Sequence, residues 1–272
     1  RWGGCPVWRG VAVRRGGAEA VAGGRAGTAG SGRRALVAVR RERGVDAVAM
    51  EVSSHALSYG RVDGVQFDIA VFTNLSQDHL DFHGSMEDYY LAKASLFTPE
   101  RSARAVVCVD DEWGQRLARD SGVPVVSISS RHNPLADWQL QNSGLGESAF
   151  ELIGDGRRLS LRSALPGDFN RVNTGVAALV LLTAGYPSDS IEKALSANPH
   201  VPGRLERVHA EGVRSLYDPA QSRMPLAIVD FAHTPHPVPA AHQSSRHNPP
   251  WSSLCSPGSW GYRAPVPRAP PG

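Results

Sequence analysis

Short apolar runs alternate with longer amphipathic stretches through the middle of the chain. The runs have the length of strands and read VDAVAMEV (45–52), FDIAVFTN (67–74), ARAVVCV (103–109), VPVVSIS (123–129) and LAIVDF (226–231). Helix-length stretches separate most of them, which is typical of α/β proteins with a mostly parallel sheet and flanking helices. Ligands in such sheets bind at the carboxyl ends of the strands. We therefore look for chemistry where each run ends.

The stretch SMEDYYLAKASLF (85–97) predicts a helix with a defined start. Ser85 is a candidate N-cap, and Asp88 stands three residues later, where a capping box places its acid. The helical spacing puts Tyr89, Ala92 and Leu96 on one face, so we expect that face to be buried.

A second helix and a hairpin follow in the sequence. The stretch FNRVNTGVAALVLLTAGY (169–186) predicts a helix that ends near Gly185. The stretch before it, residues 142–167, indicates a hairpin-rich insert with Asp155 and Gly156 at its turn.

Both flanks of the chain lack this pattern. Residues 1–44 are one-quarter Gly with ten Arg, and residues 235–272 contain ten Pro, so neither flank carries enough apolar surface for a core. The loss of pattern at both ends favours a truncated or frame-shifted reading over a genuine basic tail. The domains that we predict are a divergent segment (1–41), a central α/β domain (42–202), the start of a smaller C-terminal α/β domain (203–234) and a divergent tail (235–272).

The charge distribution argues against a nucleic-acid partner. The net charge is +3, of which residues 1–44 carry +8 and residues 235–272 carry +3, so residues 45–234 carry −8. An acidic middle is unsuited to a phosphate backbone. The sequence has no apolar run long enough for a membrane span and no signal-peptide core, which favours the cytoplasm and no membrane partner. Cys5, Cys108 and Cys255 have no metal-ligand spacing and are interpreted as free thiols.

Polar side chains cluster where the first two apolar runs end. Glu51 lies near the end of the first run in AMEVSSHALSYGR, and the second run is followed by Asn74, Asp78, His79, Asp81 and His83. Two neighbouring parallel strands ending in these residues would place oxygen and nitrogen ligands around one crevice. The joint pattern predicts a divalent-metal site, although each residue alone fits an ordinary loop or turn role.

Lys93 stands out because the chain has 27 Arg and two Lys. A lysine retained in a sequence that otherwise uses Arg suggests chemistry that a guanidinium cannot perform. An amine can lose its proton and react, for instance with carbon dioxide to form an anionic carbamate. A solvated helix lysine is the alternative reading.

Six motifs together resemble the Mur ligase family. They are MEVSSHAL, FTNLSQDHLDFHGSMEDYYLAKASLF, AVVCVDDEWG, FNRVNTGVAAL, PGRLERV and IVDFAHTP, and they occur in the family's order and approximate spacing over residues 42–236. They look most like the branch of the family that adds the third peptide residue to the peptidoglycan precursor.

The resemblance implies a role for each matching residue. Glu51 matches the acid that holds a magnesium ion shared with the ATP phosphates, His79 matches a ligand of a second magnesium ion, and Lys93 matches the lysine that is carbamylated and supports that ion. These three would form the catalytic and metal centre. The positions implied to contact the UDP-muramoyl substrate are Ser53, Ser54 and Arg61, and those implied to contact ATP are Asn74, Asn170, Asn173, Arg204 and Asp230.

The implied reaction is an ATP-dependent amide ligation by a cytoplasmic monomer. ATP phosphorylates a carboxylate of UDP-MurNAc-L-Ala-D-Glu, and an amino group of a diamino acid, meso-diaminopimelate or L-lysine, then attacks the acyl phosphate. Two magnesium ions would neutralise the phosphate and carboxylate oxygens, which suits an acidic domain.

The sequence departs from the family at its phosphate loop. Residues 22–34, AGGRAGTAGSGRR, contain no G-K-[ST], so the phosphate-reaching lysine and the metal-binding hydroxyl are missing there. The sequence also lacks an Asn-Pro-Arg-type motif for the diamino acid. We therefore expect this chain to be weakly active or inactive. The alternatives are a folylpolyglutamate-synthase-like ligase, a catalytically dead remnant or binding module, and a metallohydrolase built on DHLDFH.

Overall fold

The computed structural model describes residues 20–21, 47–77, 80–144, 146, 148–163, 165, 167–196, 206–208 and 227–229. The strands are β1 (Ala20–Val21), β2 (Ala47–Val48), β3 (Ala70–Phe72), β4 (Ala105–Cys108), β5 (Val125–Ser129), β6 (Trp138–Asn142), β7 (Ala149–Gly154), β8 (Arg157–Arg162), β9 (Glu206–Val208) and β10 (Ala227–Val229). The helices are α1 (Ser54–Ser58), α2 (Leu80–His83), α3 (Met86–Ala94), α4 (Glu112–Asp120), α5 (Asp168–Thr183) and α6 (Ser188–Ser196).

A six-stranded mixed sheet forms the centre, in the order β3-β4-β5-β6-β7-β8. The strands from β3 to β6 are parallel to one another, whereas β6, β7 and β8 pair antiparallel. Asp155 (φ 49°) and Gly156 (φ 67°) form the turn between β7 and β8, where both central residues need positive φ. The predictions of a mostly parallel sheet and of this turn are confirmed.

Both faces of the sheet are covered, and successive residues of each strand point to opposite faces. On one face, Ala70 and Phe72 of β3 pack with Tyr89, Tyr90 and residues of α1 and α4, and we call this the tyrosine layer. On the other face, Ile69 and Val71 pack with aliphatic residues of α5 and α6, and we call this the aliphatic layer.

The predicted strand over residues 45–52 is wrong in extent and in partner. Of the described residues in this range, 47–52, only Ala47–Val48 form a strand, which pairs parallel with β1 and not with β3. Residues 49–53 have no regular structure. The reason lies in packing: Met50 and Val52 contribute to the tyrosine layer on the way into α1. Glu51 therefore does not end a strand that neighbours β3.

The two predicted helices are present. α3 begins after Ser85, and α5 ends at Thr183, two residues before Gly185, whose φ is 83°. The buried face of α3 differs from the prediction, since Tyr89, Tyr90 and Lys93 are buried and Ala92 is half-buried. Burial of Lys93 is the unexpected part, because charged side chains are seldom buried.

The antiparallel pair β9 and β10 belongs to a second compact unit of the chain. β10 lies within the apolar run predicted at residues 226–231. In the part of the chain described by the structure, no helix has the length and apolarity needed to cross a bilayer.

Candidate functional site

The start of α1 carries two adjacent serines with different roles. Ser53 is the N-cap, and its Oγ accepts a hydrogen bond from the Ala56 amide at 3.2 Å. Ser54 is 1% exposed, and its Oγ lies 2.8 Å from Nε2 of His83. Glu51, which is half-buried, comes two residues before the cap. The structure gives both hydroxyls internal partners, and their contact with a substrate stays a prediction.

The junction between α2 and α3 fixes the position of His83. Gly84 reverses the chain with φ 73°, a conformation that favours glycine. Ser85 then caps α3, because its Oγ accepts from the Asp88 amide at 3.1 Å and donates to Asp88 Oδ2 at 2.6 Å. The predicted cap at Ser85 is confirmed, and the carboxylate of Asp88 bonds to the Ser85 hydroxyl. His83 is thus held at the base of the helix that carries Lys93.

Lys93 is buried among aromatic rings in the tyrosine layer. Its side chain is 1% exposed, and its Nζ lies 4.9 Å from the centre of the Tyr89 ring. The ring of His83 stacks on Tyr89 at 4.9 Å and 24°. We call Ser54, His83, Tyr89 and Lys93 the Lys93 cluster. This burial excludes the reading of Lys93 as a solvated helix residue.

An ion-pair and cation–π network anchors α3 to α4. The Arg116 guanidinium donates to both carboxylate oxygens of Glu87, at 2.6 and 2.8 Å. Its Cζ also lies 4.3 Å from the centre of the Tyr90 ring. The hydrogen bond from Arg116 lowers the pKa of Glu87, so this pair persists into mildly acidic solution. The helix that carries Lys93 is therefore held from its outer side as well.

An aromatic rim borders the Lys93 cluster. The His55 ring lies 4.1 Å from that of Phe82, and the Tyr59 ring lies 5.4 Å from it. The Arg61 guanidinium lies 5.0 Å from the centre of Tyr59, so Arg61 stands at this rim as well. Tyr59 is 59% exposed and Phe82 is 37% exposed. The rim is the solvent-facing edge beside the proposed substrate residues.

Asp111 ties the loop after β3 to the start of α4, a role that sequence analysis missed. One carboxylate oxygen accepts from the Gly114 amide at 2.6 Å, and the other accepts from the Leu75 amide at 3.1 Å. Burial raises the pKa of Asp111 although these hydrogen bonds oppose the rise. Asn74, next to Leu75, is exposed. The signal that could have identified Asp111 is its place before a helix as an N-cap residue.

Asp110, its neighbour, fixes the end of β5. Its carboxylate accepts hydrogen bonds from the Ser129 hydroxyl at 2.7 Å and from the Ser130 hydroxyl at 2.5 Å. Burial alone would raise the pKa of Asp110, but these bonds outweigh it and hold the pKa below its usual value. The two adjacent acids are thus shifted in opposite directions at the carboxyl end of the sheet.

Two predicted ATP contacts lie apart from the Lys93 cluster. Asn170 is buried and Asn173 is exposed in the first turns of α5, which covers the aliphatic face of the sheet. The structure therefore does not bring these residues to the Lys93 cluster.

The remaining predicted site residues, His79, Arg204 and Asp230, lie outside the described residues, as does Asp78. Among the residues that are described, no three acidic, histidine or cysteine side chains come together in a way that could hold a metal ion. Glu51 and Lys93 lie within the described residues, and their role as metal ligands stays a prediction.

Comparison with known proteins gives a consistent family. The Mur ligase middle domain matches residues 28–181. The UDP-N-acetylmuramoyl-L-alanyl-D-glutamate--2,6-diaminopimelate ligase of Streptomyces avermitilis is 52% identical over 202 residues, which is 73% of this chain and 38% of that protein. The UDP-N-acetylmuramyl-tripeptide synthetase of Leifsonia xyli subsp. xyli is 43% identical over 209 residues, 74% of this chain and 38% of that protein. The chain thus spans about two fifths of the length of these curated relatives.

Solved structures share the fold. A UDP-N-acetylmuramoyl-L-alanyl-D-glutamate--2,6-diaminopimelate ligase superposes with a TM-score of 0.59 at 26% identity, covering 66% of this chain and 38% of that one. A bifunctional folylpolyglutamate synthase/dihydrofolate synthase from Yersinia pestis superposes with a TM-score of 0.52 at 23% identity, covering 75% and 45%. The second likeness concerns the fold alone.

Proposed function

The chain belongs to the Mur ligase family, and we propose that it is the central part of an enzyme of peptidoglycan precursor synthesis. The proposed enzyme ligates a diamino acid to UDP-MurNAc-L-Ala-D-Glu in an ATP-dependent step. The observation that carries this proposal is the Lys93 cluster, in which a lysine kept by an Arg-rich sequence is buried beside the helix that follows Glu51. The sequence identity to relatives that are named for this activity supports it.

The proposed reaction has two steps. The γ-phosphoryl group of ATP is transferred to a carboxylate oxygen of the dipeptide, which releases ADP and leaves an acyl phosphate. The amino nitrogen of the diamino acid then attacks the acyl carbon, an amide bond forms, phosphate leaves and the nitrogen loses a proton. This chain's part is to bind the acceptor through Ser53, Ser54 and Arg61. It would bind ATP through Asn74, Asn170, Asn173, Arg204 and Asp230.

The proposed cofactors are two magnesium ions and a carbamate on Lys93. Glu51 would hold the ion shared with the ATP phosphates, and His79 and carbamylated Lys93 would hold the second ion. When bound, these ions would neutralise phosphate and carboxylate oxygens. The carbamate forms when the Lys93 amine attacks carbon dioxide, an N–C bond forms and a proton leaves. The burial of Lys93 and the half-burial of Glu51 fit these roles, since ligands are best held where water is partly excluded.

We propose diaminopimelate as the diamino acid of the whole enzyme. The Streptomyces avermitilis relative, at 52% identity, is named for that compound. The folylpolyglutamate alternative has weaker support, because the likeness to such an enzyme is one of fold at 23% identity.

The carbamate can be tested directly because the chain has one other lysine, Lys193, which is exposed on α6. Protein incubated with ¹³C-bicarbonate should give a carbamate resonance from Lys93 by NMR, separate from that of the α-amino group. The resonance should disappear in Lys93→Ala and persist in Lys193→Ala, the matched control. A resonance that survives in Lys93→Ala and is lost in Lys193→Ala would contradict the assignment.

The ligase activity is tested by phosphate release with UDP-MurNAc-L-Ala-D-Glu, ATP and diaminopimelate. We expect slow release that requires all three compounds, because residues 22–34 have no G-K-[ST]. Lys93→Ala should lower that rate by at least about 100-fold, as expected for loss of a group that stabilises transition-state charge. Lys193→Ala should leave the rate unchanged. Equal rates in the two variants would refute a role for Lys93 in catalysis.

The absence of a G-K-[ST] motif also favours a second candidate, a binding module without turnover. Calorimetric titration with UDP-MurNAc-L-Ala-D-Glu separates the two candidates. Binding that weakens in Arg61→Ala, together with no phosphate release, would identify the binding module.

A further inference from the structure

We propose that His83 is the positioning residue that sets the spacing between α1, which follows Glu51, and α3, which carries Lys93. The inference rests on the proposed function, and it names a residue to which neither the resemblance nor the comparisons assign a role. The juxtaposition that carries it is one imidazole in contact with both helices.

The first contact of His83 is with α1. Its Nε2 lies 2.8 Å from Ser54 Oγ, 29 positions earlier in the chain. Ser54 is almost fully buried, so this hydrogen bond replaces one that water would otherwise supply. The bond holds the first turn of α1, and Ser53 and the segment of Glu51 directly precede that turn. A change at His83 would therefore move this part of the site.

The second contact of His83 is with α3. Its ring stacks nearly parallel on Tyr89 at 4.9 Å, and Lys93 Nζ lies 4.9 Å from the same Tyr89 ring. Tyr89 and Lys93 are four residues apart on one helix face, so the orientation of the tyrosine ring shapes the space around the amine. The imidazole thus acts on Lys93 through Tyr89.

Histidine is suited to this position because it combines two properties. A phenylalanine could stack on Tyr89 but could not bond to Ser54, and a glutamine could bond to Ser54 but has no ring to stack. The backbone of His83 is itself fixed, since Gly84 reverses the chain and Ser85 caps α3 directly afterwards. The backbone position from which the imidazole reaches Ser54 and Tyr89 is therefore defined.

The experiment measures acetylation of Lys93 relative to Lys193 in the full chain by mass spectrometry. In the wild type we expect Lys193 to react and Lys93 to be protected. His83→Ala should raise the Lys93 rate at least about tenfold, because a buried group reacts through local opening. His83→Phe should retain most of the protection, since it keeps the ring on Tyr89.

The control is Val176→Ala, a truncation in the aliphatic layer that lowers stability without touching the Lys93 cluster. If Lys93 is acetylated no faster in His83→Ala than in Val176→Ala, the inference is overturned. If His83→Ala fails to fold, His83→Gln and His83→Phe take its place, and equal Lys93 rates in those two variants would overturn the stacking role.

The hydrogen bond to Ser54 is tested by a double-mutant cycle of His83→Phe and Ser54→Ala, measured by urea unfolding. The two changes should be clearly less than additive, because each removes the same bond. Additive effects would overturn the contact with α1. Neither measurement needs ATP or substrate, so a failed phosphate-release assay would refute the proposed ligase activity and leave the positioning role to be decided by these results.

Discussion

The two layers that cover the sheet differ in what they bury. The aliphatic layer is filled by α5 and α6 through side chains such as Val176, Leu179 and Ile191. The tyrosine layer buries Tyr89 and Tyr90, and beside them Lys93, which among the described residues is the one charged side chain that is fully shielded from water. Burial of a charged group costs free energy unless it is compensated. The difference teaches that one layer buries mainly hydrocarbon, whereas the other also buries an ionisable side chain whose burial must be compensated by its surroundings.

The contrast extends to the way helices are attached. α5 lies on the sheet through its own apolar run, so its attachment is spread over many similar contacts. In the tyrosine layer, particular polar contacts attach the helices: Asp111 caps α4, Ser85 caps α3, and His83 joins α1 to α3. We therefore expect the tyrosine layer to be more sensitive to single changes, and the following predictions test this.

The largest difference in the free energy of unfolding is expected between alanine substitutions at Gly114, in α4 over the tyrosine layer, and at Gly175, in α5 over the aliphatic layer. A Cβ at Gly114 in α4 would lie 2.0 Å from the backbone oxygen of Cys108, whereas a Cβ at Gly175 in α5 would meet the side-chain end of Leu140 at 2.5 Å. Backbone cannot yield easily, so Gly114→Ala should lower the free energy of unfolding by about 3 kcal/mol or more. Gly175→Ala should change it by less than about 1 kcal/mol, because Leu140 can rotate and alanine favours the helix. Urea denaturation followed by circular dichroism gives both values, and equal losses would break the comparison.

A smaller effect is expected at Asp110, whose hydrogen bonds to Ser129 and Ser130 should make the free energy of unfolding depend on pH. Hydrogen bonds hold the pKa of Asp110 low, so its contribution to stability is present above the unfolded pKa and is lost as the pH falls through the folded pKa. Asp110→Asn should therefore cost roughly 1 kcal/mol at neutral pH and lose less stability than the wild type on acidification. Urea unfolding at pH 7 and at about pH 3 measures this.

Asp111→Asn is the matched variant for that measurement. Burial raises the pKa of Asp111, so its pH-dependent contribution is present below the unfolded pKa and fades as the pH rises through the folded pKa. Its loss should steepen the fall in stability toward acid, opposite to Asp110→Asn. The same pH response in both variants would contradict the assigned pKa shifts.

The smallest effect concerns Cys108, which lies in the aliphatic layer. Burial, aided by the nearby charge of Asp110, raises the pKa of its thiol to about 12. In a Cys5→Ser, Cys255→Ser background we expect almost no reaction with a thiol reagent at neutral pH before global unfolding. Reaction of Cys108 while Lys93 stays protected from acetylation would show that the aliphatic layer opens more readily than the tyrosine layer, which would contradict the comparison.

Much of the fold was accessible from local pattern. The cap and start of α3, the hairpin turn at Asp155 and Gly156, and the end of α5 before Gly185 depend on residues a few positions apart, and all three predictions are confirmed. β6 was not predicted, because WQLQN carries little apolar signal. The strand at 45–52 was overextended, because apolar residues such as Met50 and Val52 also fill the core without joining a ladder.

The sequence by itself determined the kinds of residue available to the site and the helices that hold them. It pointed to Lys93 through the scarcity of lysine, and to the family through the order of six motifs. Only the tertiary structure decided that Lys93 is buried, that Ser54 points inward to His83, and that Asp111 holds the loop after β3. The physical reason is the separation of the interacting residues along the chain. Caps and turns are formed by neighbours in sequence. The contacts of Ser54 and Asp111 join residues about 30 or more positions apart, and the burial of Lys93 depends on which helix face meets the sheet, so all three arise only when the layers pack.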